Sequence, residues 1–125
     1  MRLVLMCFAA AALTAADAAP RGEVRRGERA FQKCYACHSV RAGETGLSGP
    51  NLRGIIGRRV ATERGFDYSP ALRALARRHP RWTPRLLDRF ITDPERVAPG
   101  TSMSFHGMPN ARERTDLIVW LRRKR

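Results

Sequence analysis

Within this 125-residue chain, Cys34-Tyr35-Ala36-Cys37-His38 limits the possible folds more than any other stretch. Two thiols three positions apart, with an imidazole directly after the second, are the spacing of c-type haem attachment. Each thiol can add to one of two neighbouring vinyl groups on the ring edge. His38, next along the chain, can then reach the iron as proximal ligand. A chain joined in this way has a large apolar ring fixed against its backbone, and the fold must bury it.

Other uses of the same residues need partners that the sequence lacks. A zinc site would take two more ligands with their own spacing, yet no second cysteine pair exists and His79 and His106 lie far apart. A thioredoxin-like redox pair belongs on a strand-to-helix turn of a βαβ unit, and no such pattern is visible. Cys7, the third cysteine, lies in an apolar N-terminal stretch.

That stretch reads as a secretory signal over residues 1–18. Arg2 supplies the charged start, Leu3 to Leu13 the apolar segment, and Ala16-Asp17-Ala18 a small-x-small cleavage site. It is short for a membrane span. Residues 19–125 form one domain, with no repeat, low-complexity tract or linker. With Cys34 and Cys37 committed, no pair remains for a disulfide. A bound ring would then supply the staple that a small exported domain needs.

The formal net charge is +13 and comes almost wholly from arginine, Lys33 and Lys124 being the only lysines. A basic surface points to acidic partner proteins or an anionic membrane surface. Export disfavours nucleic acid.

Apolar periodicity predicts helices. Residues 23–33 place Gly27 and Phe31 on one face. Ser69-Pro70 opens a second helix through Ala71, Leu72 and Leu75, stopped at His79-Pro80. Thr83-Pro84 opens a third, with Leu86, Leu87, Phe90 and Ile91 on its apolar side, closing at Asp93-Pro94. Asn110 and Glu113 fit a capping pair before a last helix presenting Leu117, Trp120 and Leu121. Between 39 and 68 the chain is rich in glycine and turn residues without strand alternation. The expectation is an all-α fold of about four helices and long loops.

From Gly27 to Leu121 the chain resembles the class I cytochromes c. Four blocks in order carry the likeness: Gly27-x-x-x-Phe31-x-x-Cys34-x-x-Cys37-His38; Gly49-Pro50-Asn51-Leu52 with Gly57-Arg58; Trp82; and Pro99-Gly100-Thr101-Ser102-Met103-Ser104-Phe105. The resemblance implies the cytochrome c fold wrapped around one haem c, covalently bound through two thioethers, in a periplasmic protein, since attachment in bacteria follows export. It implies Met103 as distal ligand, and a soft neutral thioether favours reduced iron. Met108, five residues on in the same loop, competes for that role, while His106 reads as a surface residue. By position, Pro50 lies against His38, where a neighbour's carbonyl takes the imidazole N–H. Arg58, Tyr68, Trp82 and Thr101 match residues that bind the buried haem carboxylates. Gly27, Phe31, Leu117 and Trp120 match the contact of the first and last helices.

Three departures stand out. Phe90 occupies a position where most relatives carry tyrosine. Ser102 precedes Met103 where mitochondrial relatives often have lysine. Of the basic positions around the haem edge only Lys33 and Arg96 are matched; Leu47, Glu95 and Ser102 stand at others.

The resemblance implies a monomeric one-electron carrier and not an enzyme, because two filled axial positions leave no open site. Its partners would be acidic redox proteins such as an oxidase, reductase, reaction centre or dehydrogenase, with association slowing as salt rises. The alternatives are a dedicated haem subunit of an oxidoreductase complex, or a haem sensor or weak peroxidase with a labile methionine.

Overall fold

The computed structural model describes residues 21–125; the expected signal at 1–18 lies outside them. Among the described residues five helices occur, in the order α1 Arg21–Phe31, α2 Pro70–Arg78, α3 Pro84–Thr92, α4 Pro94–Val97 and α5 Ala111–Arg122. Among the described residues the only extended pairing is one antiparallel bridge, Arg59 with Arg81, so the fold is all-α as expected. None of these helices is long and apolar enough to cross a membrane.

The helix starts follow from their caps. Ser69 Oγ accepts from the Leu72 N–H at 3.2 Å, and Thr83 Oγ1 from the Leu86 N–H at 3.1 Å. In both, proline occupies the first turn, where its missing N–H costs nothing. Asp93-Pro94, expected only to stop α3, uses the same device to start the single turn of α4: Asp93 Oδ1 accepts from the Arg96 N–H at 3.1 Å. At α5, Asn110 Oδ1 accepts from the Glu113 N–H at 3.0 Å. The Glu113 carboxylate does not complete the expected pair; it meets Lys33 at 2.6 Å.

The core is organised by α1 crossing α5. A Cβ on Gly27 would lie 2.1 Å from the Asp116 carbonyl oxygen and 2.5 Å from the Trp120 Cβ, so only glycine permits this approach. Phe31 and Trp120 stack beside it with ring centroids 4.8 Å apart, confirming Trp120 as packing. Burying each such aromatic ring stabilises the fold by about 1.5–3 kcal/mol. Arg26 closes the rim with a 2.6 Å contact to the buried Asp116, which raises the basicity of its guanidinium. On the opposite side Leu86, Leu87, Phe90 and Ile91 of α3 face inward, and Phe90 meets Trp82 edge-on at 5.2 Å.

Candidate functional site

Past Phe31 the chain tightens into turns, ending α1 two residues before the expected boundary. The Cys34 N–H bonds the Phe31 carbonyl at 2.8 Å, and the Cys37 and His38 N–H groups bond the Cys34 carbonyl at 3.1 and 2.9 Å. Neither thiol forms a disulfide: Cys34 is half-buried and Cys37 exposed. Burial, and secondarily the neighbouring Cys37, pushes the Cys34 thiol up to about 11, so it stays protonated at neutral pH. Among the described residues no three His, Cys, Asp or Glu side chains converge to hold a metal ion by themselves.

His38 lies 2.7 Å, through Nδ1, from the carbonyl oxygen of Pro50. A carbonyl only accepts, so Nδ1 carries the proton and Nε2 keeps its lone pair. The partner is Pro50's own carbonyl, a correction to the expected neighbour's. Burial lowers the imidazole pKa and so favours the neutral ring that metal ligation requires, with the Pro50 bond acting in the opposite direction. Gly49 packs flat on that ring: a Cβ there would stand 2.4 Å from Cε1 and 2.8 Å from Nε2.

The segment behind the ring is tied down by bonds that sequence reasoning missed. The Gly49 N–H reaches the Cys37 carbonyl at 2.8 Å, and the Leu52 N–H that of Ser39 at 2.7 Å. Buried Asn51 donates through Nδ2 to the carbonyls of Arg41 and Glu44 at 2.6 and 2.8 Å, and its Oδ1 accepts from the Arg53 N–H. Its own N–H bonds the Glu63 carboxylate at 2.6 Å, and the Ser39 hydroxyl bonds that of Glu44. Asn51 sits in the quoted Gly-Pro-Asn block, but its partners are scattered along the chain.

Arg58 and Trp82 come together. The Trp82 N–H bonds the Arg58 carbonyl at 2.9 Å, and the Gly57 N–H bonds that of Trp82 at 2.7 Å. Tyr68 lies within electrostatic reach of Arg58, and its hydroxyl accepts from the Glu63 N–H at 3.2 Å. Burial pushes the Tyr68 phenol up, keeping it a donor. Thr101 Oγ1 accepts from the Met103 N–H at 3.3 Å.

The loop carrying Met103 is pinned at both ends. Gly100 N–H bonds the Glu95 carboxylate at 2.8 Å, Thr101 N–H the Ala98 carbonyl at 3.0 Å, and Met108 N–H the Ile91 carbonyl at 2.8 Å. Gly107, at φ +98°, presses so close to the Thr92 carbonyl that a Cβ would meet it at 2.1 Å. The two methionines separate cleanly: Met108 is 1% exposed in the core, whereas Met103 is only partly covered. His106 is exposed.

Val40, Leu52, Ile56, Tyr68, Met103 and Phe105 pack on the core yet remain partly uncovered. They come from the same segments as the histidine, the methionine and the anion-binding candidates. A flat apolar ring with polar acids at one edge suits that donor set, with thiols for its vinyl edge and His38 Nε2 for its metal.

No family model matches the chain, but individual proteins do. It is 42% identical over 101 residues to "Cytochrome c-type cyt cy" of Rhodobacter capsulatus, covering 80% of this chain and spanning 48%, about half, of that relative's length. It is 38% identical over 107 residues to cytochrome c of Sesamum indicum, covering 85% of this chain and 94% of that one. Cytochrome c2 of Agrobacterium tumefaciens is 36% identical over 100 residues, covering 80% and 90%. With this likeness running through nearly the whole of two of these relatives, and an all-α fold built around the Cys34–His38 turn, the chain belongs to the class I c-type cytochromes, which carry one covalently attached haem c.

Proposed function

We propose that this protein is an exported one-electron carrier working in the periplasm between redox proteins. Cys34 and Cys37 would hold the haem through two thioethers, and His38 Nε2 and Met103 Sδ would ligate its iron. When bound, the haem supplies the ferric/ferrous couple. The chain's residues do the rest. Pro50 and Gly49 fix the orientation of the imidazole and make it a better donor. Met103 offers a neutral, soft sulfur that favours the reduced state. Arg58, Tyr68, Trp82 and Thr101 donate to the carboxylates, which would be costly to bury unpaired. Leu52, Ile56 and Phe105 keep water from the ring. The observation that carries this reading is the 2.7 Å contact from His38 Nδ1 to the Pro50 carbonyl, because it leaves Nε2 free on a neutral, immobilised ring.

The test is an absorption spectrum of the oxidised and then the reduced holoprotein. The weak far-red charge-transfer band of methionine–ferric iron should vanish in Met103→Ala and persist in Met108→Ala. The second substitution should instead destabilise the fold by about 2–5 kcal/mol, as removal of a buried methionine does. Absence of the band together with immediate carbon monoxide binding by the ferrous form would give an open iron site and favour a sensor or peroxidase.

A further inference from the structure

Building on the haem ligation proposed above, we infer that the surface around the Cys37 end of the site docks a redox protein through an apolar-centred patch of little net charge. The arginine-rich remainder of the molecule stays outside that contact. The partner so defined presents an apolar, weakly charged patch of its own rather than an acidic one.

Two observations meet at this surface. Among the described residues two large apolar side chains stand out in solvent, Tyr35 at 66% and Leu47 at 39% exposed. Tyr35 lies inside the turn between the cysteines. Leu47 lies two residues before Gly49, whose N–H bonds the carbonyl of the exposed Cys37 at 2.8 Å. Protein interfaces have cores that are apolar, rich in tyrosine and poor in charge. The arginine-bearing faces of α2 and α3 expose no comparable side chain.

Charge is distributed in the opposite sense. Segments 33–51 and 93–110, which hold the cysteines, His38 and Met103, contain three basic and three acidic residues. One of those basic residues, Lys33, is also paired with Glu113 at 2.6 Å. Segment 53–89 contains ten basic and three acidic residues. Two of those acids are already engaged, Asp67 by Arg73 and Asp88 by Arg114, each at 2.7 Å. The last four residues, Arg122 to Arg125, are all basic. Nearly all of the +13 therefore resides outside the two segments that carry the cysteines, His38 and Met103, with Arg58 the one basic residue of the arginine-rich segment assigned to the haem carboxylates. At about 0.1 M salt the screening length is about 10 Å, falling to about 3 Å at 1 M, so an arginine contributes little to the edge once it lies farther away than that. The steering and salt-slowed association expected from net charge alone do not apply to this face.

The test uses the ferrous holoprotein and two inorganic oxidants, anionic ferricyanide and cationic tris(phenanthroline)cobalt(III), in stopped flow between about 0.1 and 1 M salt. Both rates should change by less than about twofold over that range. A several-fold fall with ferricyanide and a matching rise with cobalt would show the arginine field reaching the edge and overturn the proposal. The protein contact is probed by electron self-exchange between ferrous and ferric copies, followed by NMR, because a second copy presents the same patch. Tyr35→Lys with Leu47→Lys should slow exchange about tenfold or more at 0.1 M salt, where like charges now oppose each other. Arg85→Gln with Arg89→Gln should leave it unchanged, and the reverse ranking refutes the assignment. All four positions are exposed, and an unchanged Soret band and potential verify intact holoprotein in each variant. A chain without covalent haem would fail at that check, so failure of the ligation reading is separable from failure of this one.

Discussion

Gly49→Ala tests whether the backbone holds the proximal ligand. The residue has an ordinary φ, so space alone decides the outcome. A new methyl would sit 2.4 Å from His38 Cε1 and 2.6 Å from Nδ1, against about 3.5–4.0 Å for a relaxed carbon contact. Something must yield by roughly 1 Å. The backbone is poorly able to, because Gly49, Asn51 and Leu52 are bonded to Cys37, Glu63 and Ser39 at 2.8, 2.6 and 2.7 Å. The imidazole moves instead, and its 2.7 Å contact with Pro50 lengthens beyond hydrogen-bonding range. A bond of this kind contributes about 0.5–1.5 kcal/mol. Its loss makes the ring a weaker donor, felt more by ferric than by ferrous iron. At 59 mV per 1.4 kcal/mol for one electron, the reduction potential should rise by about 20–60 mV. Overpacking should also lower stability by about 1–3 kcal/mol. Spectroelectrochemical titration and denaturant unfolding of the holoprotein measure both. An unaltered or lower potential with unaltered stability would mean that residue 49 does not hold the ring.

Other substitutions probe separate parts of the molecule. Gly27→Ala gains about 1 kcal/mol in helix propensity but drives a methyl into the Asp116 carbonyl; a net loss of about 1–3 kcal/mol should appear in thermal unfolding, and an equal or higher midpoint would contradict the crossing. Phe90→Tyr returns a hydroxyl to the pocket beside Trp82 and should raise the potential modestly by drawing density from the methionine sulfur; identical potentials and pH titrations would sink the idea. At high pH no lysine should replace Met103, since Lys33 is paired with Glu113 and Lys124 lies 4.4 Å over the Trp120 ring, while arginine stays protonated. The alkaline form should carry hydroxide or His106, and magnetic spectra showing an amine ligand would refute this.

Legibility in the sequence followed the range of the interactions. Ser69, Thr83 and Asn110 declare helix starts because each cap closes onto an N–H three residues away. Asp93-Pro94 carries the same signal but announces only a stop, since a four-residue helix has no apolar period to mark it. The thiols and His38 are legible because they are adjacent. The clamp around them is not: Asn51 draws on Arg41, Glu44 and Glu63, and nothing local specifies those pairings. Gly49 could be placed in a block, but its contact with the imidazole depends on the path of the loop between them. Met103 and Met108 look alike as a pair of methionines in one loop; burial against Ile91 and the core distinguishes them.

The crossing of α1 with α5 joins Arg26 to Asp116, ninety positions apart. Closing so long a loop costs about 4 kcal/mol of chain entropy, and the contact cannot begin to form until the chain's final turn has been synthesised. Until α1 and α5 meet, the two cysteines belong to an unclosed chain, open to the chemistry that joins them to their cofactor after export. A fold that pairs its first helix with its last thereby keeps its attachment residues accessible early and locks them in late. Removing the final turn of α5 should accordingly leave the thiols as open in the finished chain as they are in the nascent one.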